Sequence, residues 1–518
     1  MANKALFKSI VGRLIPFATA TNHEGAPAYA YGPRHHLAQL AATGTLGRTF
    51  YAEPEAQLEA ALKLAHEVEP DFLAKTAVYA RQRGHMKDLP ALLLAALSGM
   101  HGTAFARVFP RVVDNGRMLR NFVQIMRSGV TGRKSLGTRP KKLVQAWLDT
   151  ASDLEIMRAA VGQDPSLADV IKMVHPRPAS ASRAALFGWL IGRPYDVAAA
   201  PEIVRAFEAF KADPTGEVPE VPFQMLTSLP LTKEQWAGIG AKGGWHMLRM
   251  NLNTFARHGA FEVEGFAERV AERLRDAEAI RRARVFPYQL MAAHAAAGKE
   301  VPLVVREALQ DAMEIAVSNV PAVAGKVVVC PDVSGSMASP VTGYRKGATS
   351  AVRCIDVAAL VAAAFLRTNR TARVMPFEQD VVDLRLNPRD SVMTNAAKLA
   401  AVGGGGTNCS APVERLAAER AKVDLLVFIS DNQSWVDAKA ARSGTALMAA
   451  FGKLKAINPD LKMVCVDIQP YGTSQAVERD DILNVGGFSD AVFEMIGRFA
   501  EGTLGPEHWL GEIETIEL

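Results

Sequence analysis

Apolar residues recur three and four apart along most of the first 320 positions, with alanine filling the gaps. That period marks helices with one buried face. Segments 55–69, 71–84, 89–100, 104–129, 141–150, 166–174, 182–192, 201–212 and 261–276 read as helices, and Pro or Gly marks most breaks between them. Helices of this length with short joints and no strand alternation predict stacked helical pairs, a solenoid-like array. No repeat of fixed period is present, so the expectation rests on rhythm, and an irregular helical domain is the alternative.

The pattern changes near residue 326. Four short apolar runs follow, in GKVVVCPDVSGSM (325–337), TARVMPF (371–377), DLLVFISDNQ (424–433) and LKMVCVDIQ (461–469). Helical stretches 356–368, 411–421 and 446–457 lie between them. Apolar strands alternating with helices predict a parallel sheet covered on both faces. The expected fold class is multidomain: a helical part over 1–325, an open α/β (Rossmann-like) domain over 326–497, and a tail over 498–518. In that tail Trp509, Leu510, Ile513 and Ile516 call for burial.

At 518 residues the chain exceeds one ordinary core. Four cysteines, none in a CxxC pair, are no disulfide framework and fit a reducing compartment. The apolar start is broken by Gly12, Arg13 and Pro16, unlike a secretory leader, and no long apolar run predicts a membrane span. A cytoplasmic protein without membrane contact is therefore expected.

The strands end in chemistry. Strand KVVVC runs into Asp332, Ser334 and Ser336 at alternate positions. The loop GGGGTNCS (403–410) offers Thr407, and the strand DLLVFIS ends at Ser430-Asp431. Ligands of open α/β sheets bind beyond the carboxyl ends of the strands, where these residues fall. Two carboxylates and three hydroxyls are an all-oxygen donor set, suited to a divalent cation: Mg²⁺ first, with Mn²⁺ and Ca²⁺ as the other fits, and not zinc. No histidine lies between residues 295 and 507 to serve as a base, which argues against hydrolysis and for a non-enzyme. No GxxxxGK[ST] occurs, so a P-loop NTPase is excluded.

Charge separates the two parts. Residues 1–325 carry eight more cationic than anionic side chains, whereas 326–518 carry three fewer. Ten of the cations crowd into 102–142 with Asp114 as the only acid. They include Arg107, Arg111, Arg117 and Arg120 at near-helical spacing, then Arg133, Lys134, Arg139, Lys141 and Lys142 in TGRKSLGTRPKK. A second cluster holds Lys172, His175, Arg177 and Arg183. Such density suits phosphate contacts to structured RNA, against the plain reading of a solvated face. His35 and His36 are lesser phosphate candidates, and Tyr29, Tyr31, Phe50 and Tyr51 read as core or loop anchors.

The set Asp332, Ser334, Ser336, Thr407 and Asp431 resembles the metal-ion-dependent adhesion site (MIDAS) of von Willebrand factor A domains. The helical part before it resembles the Ro 60-kDa autoantigen family, the TROVE-domain proteins. TLGRTFY (45–51), GRKSLGTRPKKLVQAWL (132–148), LADVIKMVHPRP (167–178), VPFQMLTSLPLTKEQW (221–236), MLRMNLNTFARHG (247–259) and RRARVFPYQLMAA (281–293) carry the likeness, followed by DVSGSM. The resemblance implies a monomeric ring of HEAT-like repeats closed by the A domain. It implies small noncoding Y RNA on the outer surface and misfolded or immature RNA with a single-stranded 3′ end through the hole. It further implies work with 3′→5′ exoribonucleases, tethered by RNA, in RNA quality control, rRNA maturation and stress response. The family's RNA-contacting histidine falls on His175. Its earlier basic residues meet RAAVG (158–162), where Arg158 is the only cation, so Lys172, Arg177, Arg183 and the 133–142 cluster stand in. Two other readings remain: a scaffold whose metal site binds an acidic protein ligand without RNA, and a metallohydrolase.

Overall fold

The computed structural model describes residues 16–43, 46, 48–100, 103–283, 285, 287–317, 320, 322–341, 352–436, 444–487, 490–504 and 507–518. The chain start with Gly12 and Arg13 lies outside them. Two compact units are present. One comprises Met1–Val68, Arg284–Ala292 and Gln310–Ile516; the other comprises Glu69–Ala283, Ala293–Leu309 and Glu517–Leu518. No described helix is long and apolar enough to cross a membrane.

The second unit is helical, with no strand among its described residues. Helix Pro70–Gln82 packs on Asp88–Leu97 and on Ala104–Val112, and Asp88–Leu97 packs in turn on Gly116–Ser128. Pro70–Gln82 thus meets the next helix and the one after, and later helices meet the next but one, the stacking that the sequence rhythm predicts. Local signals set the ends. Ser152 with Glu155, Ser166 with Asp169 and Thr232 with Gln235 form reciprocal capping boxes, each satisfying two otherwise orphaned amides.

The segment 104–129 is not one helix. It breaks after Val112, and Asn115 caps a new helix by accepting from the Met118 amide. Gly116 then lies so close to Ala159 that any side chain there would overlap it. The break takes Arg107 and Arg111 out of register with Arg117 and Arg120. Segment 261–276 likewise divides, into a short turn Ala260–Glu262 and the helix Phe266–Arg275.

In the first unit, strands β1 (Ala20–Thr21) and β2 (Pro27–Ala30) form a hairpin. The main sheet comprises β3 (Val327–Pro331), β4 (Arg373–Val374), β5 (Leu425–Ser430), β6 (Lys462–Asp467) and β8 (Ile482–Gly486). Their order is β4-β3-β5-β6-β8, all parallel. Strand β7 (Thr473–Ser474) instead pairs with β2. Every residue of β5 is buried, because helices cover both faces of a parallel sheet. Strand β8 was not foreseen: ILNVG is short, and its run of five buried residues has no polar alternation to announce it.

Residues 20–43, which the sequence reading groups with the helical part, pack on this α/β unit. Helix Pro33–Thr43 lies against β8, and β2 against β7. His35 is buried, with Nε2 3.1 Å from the Asn484 carbonyl and its ring stacked on Tyr31. His36 sits under Gly472. Burial lowers both histidines to about 4, so they stay neutral and serve packing, not phosphate. In the tail, helix His508–Glu514 buries Trp509 and Ile513, while Leu510 and Ile516 stay only half-buried.

Candidate metal centre and cationic cleft

Three strand-end loops converge beyond β3 and β5. Asp332 follows β3 and is fully buried, and its backbone amide donates to the Ile429 carbonyl at the end of β5. Its carboxylate accepts from the Ser334 amide (2.9 Å) and from the Ser430 hydroxyl (2.6 Å). The hydroxyls of Ser334 and Ser336 stand 3.3 Å apart. Asp431 is buried and accepts from the Gln433 amide at 3.3 Å. Thr407 is buried and holds the Asp431 loop through its carbonyl, which accepts from the Trp435 amide and the Ser434 hydroxyl.

The glycine run earns its place by close approach. The Gly405 carbonyl accepts from the Gly335 amide at 3.1 Å, between the two serines. Gly405 has φ +74°, and a Cβ there would collide with the Glu378 carboxylate. Only glycine satisfies both demands.

Burial holds the Asp332 carboxyl above the usual range. Burial first, then the charge of Asp332, pushes Asp431 up to about 7. Neither carboxylate forms an ion pair with Lys or Arg among the described residues. Two adjacent buried carboxylates with hydroxyls around them and no cationic side chain fit a hard divalent cation, which would supply the missing positive charge. Among the described residues no three His, Cys, Asp or Glu side chains form a metal cluster, so any such site is built from two carboxylates plus hydroxyls. Ser430, which holds Asp332, was missed as a member of the group. Its position directly before Asp431 was its only signal.

A third carboxylate, Asp467 at the end of β6, is fully buried, and neither oxygen meets a donor in hydrogen-bonding geometry. Burial raises it to about 8, with the Asp431 charge adding to the effect. A raised folded pKa means that the folded state holds a proton the unfolded state releases. Stability therefore falls as pH rises through the window from about 4 to about 8. Asp467→Asn is expected to melt several degrees above the parent at pH 9 and close to it at pH 5. An unchanged pH slope of Tm in the variant would refute this role for Asp467.

The helical unit holds a cleft of about 730 Å³ lined by Arg127, Lys134, Lys141 and Lys142, with Ser135, Thr138, Gln145 and Met173 and no acidic residue. Helix Thr138–Thr150 starts in it after Gly137, and no side chain caps its first turn. The positive end of the helix dipole therefore adds to the four cations. The Gln145 amide donates to the carbonyls of Val174 and His175, tying the His175 loop to this helix. His175 is exposed in the left-handed conformation (φ 50°) at the helix end. Lys172 and Arg177 are exposed on the same segment.

Other cations of the two clusters face elsewhere. Arg133 turns inward to donate to the Ser98 hydroxyl at 2.8 Å. Arg183 donates to the Ala151 carbonyl and pairs with Asp153 at 3.4 Å. Arg120 is buried and donates to the carbonyls of Val161, Gln163 and Pro165. Arg139 lies over the Phe105 ring. Arg158 lines a separate cleft of about 740 Å³. Conversely, Arg127, one of the ten cations of 102–142 but not among the candidate contacts, joins the lysines from the preceding helix.

Residues 326–500 match the family model of the Ro60 vWA domain, and residues 244–321 match that of the TROVE domain. The chain is 25% identical over 514 residues to the RNA-binding protein RO60 of Deinococcus radiodurans, covering 93% of this chain and 95% of that one. It is 24% identical over 265 residues to the RNA-binding protein RO60 of Caenorhabditis elegans, covering 49% of this chain and 40% of that one. The crystal structure of the Deinococcus radiodurans RO (RSR) protein superposes with a TM-score of 0.61 at 23% identity, covering 91% of this chain and all of that one.

Proposed function

We propose that this chain, which matches the family models of the TROVE domain and the Ro60 vWA domain, is an RNA-binding protein. The observation that carries the reading is the acid-free cleft of Arg127, Lys134, Lys141 and Lys142 at an uncapped helix start. Four cations in one concavity at the positive end of a helix suit a phosphate backbone that bends into it. His175, tied to the same helix, is placed to stack on or hydrogen-bond a base beside it.

The finer reading follows the resemblance. The ligand is a small noncoding Y RNA, together with misfolded or immature RNA bearing a single-stranded 3′ end. The protein acts in RNA quality control beside a 3′→5′ exoribonuclease. It binds rather than catalyses, a reading that rests on the absence of histidine from residues 295–507, the stretch that carries Asp332, Ser334, Ser336, Thr407 and Asp431. Asp332, Ser334, Ser336, Thr407 and Asp431 hold a divalent cation, Mg²⁺ in the first instance.

The test is to sequence the RNA that copurifies from the native cell and to map its crosslinks. One abundant small RNA, crosslinked between Lys134 and His175, is the expected result. Folded protein with no RNA above background would replace this reading with a metal-dependent protein-binding scaffold.

A further inference from the structure

One loop beside the cationic cleft is held in place from outside. Residues 176–179 (Pro-Arg-Pro-Ala) lead from helix Leu167–Val174 toward helix Ala181–Leu190. Among the described residues none of their amides donates to a backbone carbonyl. His175 opens the loop in the left-handed conformation, φ 50°, which a residue with a β-carbon rarely adopts. Such a segment keeps one shape only where its surroundings impose it.

Helix Thr138–Thr150 imposes it at both ends. At the near end, the Gln145 side-chain amide donates to the Val174 carbonyl at 2.7 Å and to the His175 carbonyl at 3.3 Å. At the far end, the Asp149 carboxylate accepts from the Ala179 amide at 3.2 Å. Gln145 and Asp149 stand four residues apart and so share one helix face. Between the two anchors Pro176 and Pro178 fix their own φ angles.

The loop presents polar groups to solvent, since His175 and Arg177 are exposed. His175 Nδ1 lies 3.2 Å from the Met173 carbonyl. A carbonyl only accepts, so the ring proton sits on Nδ1, and Nε2 of the neutral imidazole is an acceptor. Met173 and Gln145 both line the cationic cleft. The two anchors therefore hold an acceptor and a cation in fixed relation to Arg127, Lys134, Lys141 and Lys142.

We propose that Gln145 and Asp149 are positioning residues for RNA, holding His175 and Arg177 where they meet the nucleotide next to the phosphates in the cleft. A loop ordered beforehand spares the cost of ordering it on binding. The proposal rests on the reading of the cleft as an RNA site.

The probe is a synthetic RNA hairpin with a single-stranded 3′ tail. Its affinity for the full chain is measured by fluorescence anisotropy across a salt series, with thermal melts of each variant alongside. His175→Ala is expected to weaken binding about tenfold, the scale of one lost base contact. Gln145→Leu keeps the bulk of the side chain and removes the donor. It is expected to weaken binding about fivefold with the salt slope of the parent, because no phosphate contact is lost. Added to His175→Ala and Arg177→Ala together, it is expected to cost less than about twofold more, since it acts through that loop. Asp149→Leu and Asp149→Asn remove the same charge, yet only the second keeps an oxygen for the Ala179 amide. Asp149→Leu is therefore expected to bind several-fold more weakly than Asp149→Asn. Parental affinity in Gln145→Leu beside weakened binding in His175→Ala overturns the proposal and leaves the RNA reading standing. An equal loss from Gln145→Leu with and without His175 and Arg177 does the same. Equal affinity of the two Asp149 variants overturns it at Asp149. A folded parent that does not bind the hairpin overturns the RNA reading and the proposal with it.

Discussion

Replacing Lys134, Lys141 and Lys142 together by Glu is expected to lower RNA affinity on the order of a hundred-fold near 0.1 M salt and to flatten the salt dependence of log K by about three. The three lysines line one cleft and belong to no ion pair among the described residues. Their loss removes phosphate contacts without removing structural bonds. The matched control is Arg133→Glu, which breaks the bond to Ser98 inside the helical unit and is expected to show in the melting temperature before it shows in affinity. Filter binding across a salt series, with thermal melts alongside, separates the two. A triple variant with parental affinity and slope would remove this cleft from the RNA-binding surface.

Asp332→Ala is expected to abolish Mg²⁺ binding measured by titration calorimetry, while RNA affinity stays within about two-fold of the parent. The carboxylate lies at the centre of its group, held by the Ser334 amide and the Ser430 hydroxyl, and no remaining side chain replaces its charge. The metal residues and the cleft cations belong to different compact units, so the two ligands share no residue. Simultaneous loss of Mg²⁺ and RNA binding would show instead that the cation maintains the architecture on which the cleft depends.

The group of carboxylates and hydroxyls at the strand ends was legible because its residues are local signals on predictable strands. Asp332, Ser334 and Ser336 sit within five positions, and Asp431 directly follows a buried run. Once parallel strands are read from apolar runs, their carboxyl ends must share one edge. The cationic cluster was legible only as a density. Arg120, Arg133 and Arg183 contributed to the charge, yet each is bonded to structural partners. Arginine carries five donors that suit buried carbonyls as well as phosphates, and spacing along a chain does not distinguish the two uses.

By itself the amino-acid order determined the helical rhythm, the switch to a parallel α/β pattern near residue 326 and the oxygen chemistry at the strand ends. These follow from periodicity and side-chain type, which act over a few residues. Only the tertiary structure decided which cations face solvent in one cleft, that His35 is buried, and that Asn22 and His23 reach the Asp431 loop. Those outcomes depend on contacts between positions up to hundreds of residues apart, such as Asn22 with Ser434. Packing selects such contacts among many that polar spacing alone would allow.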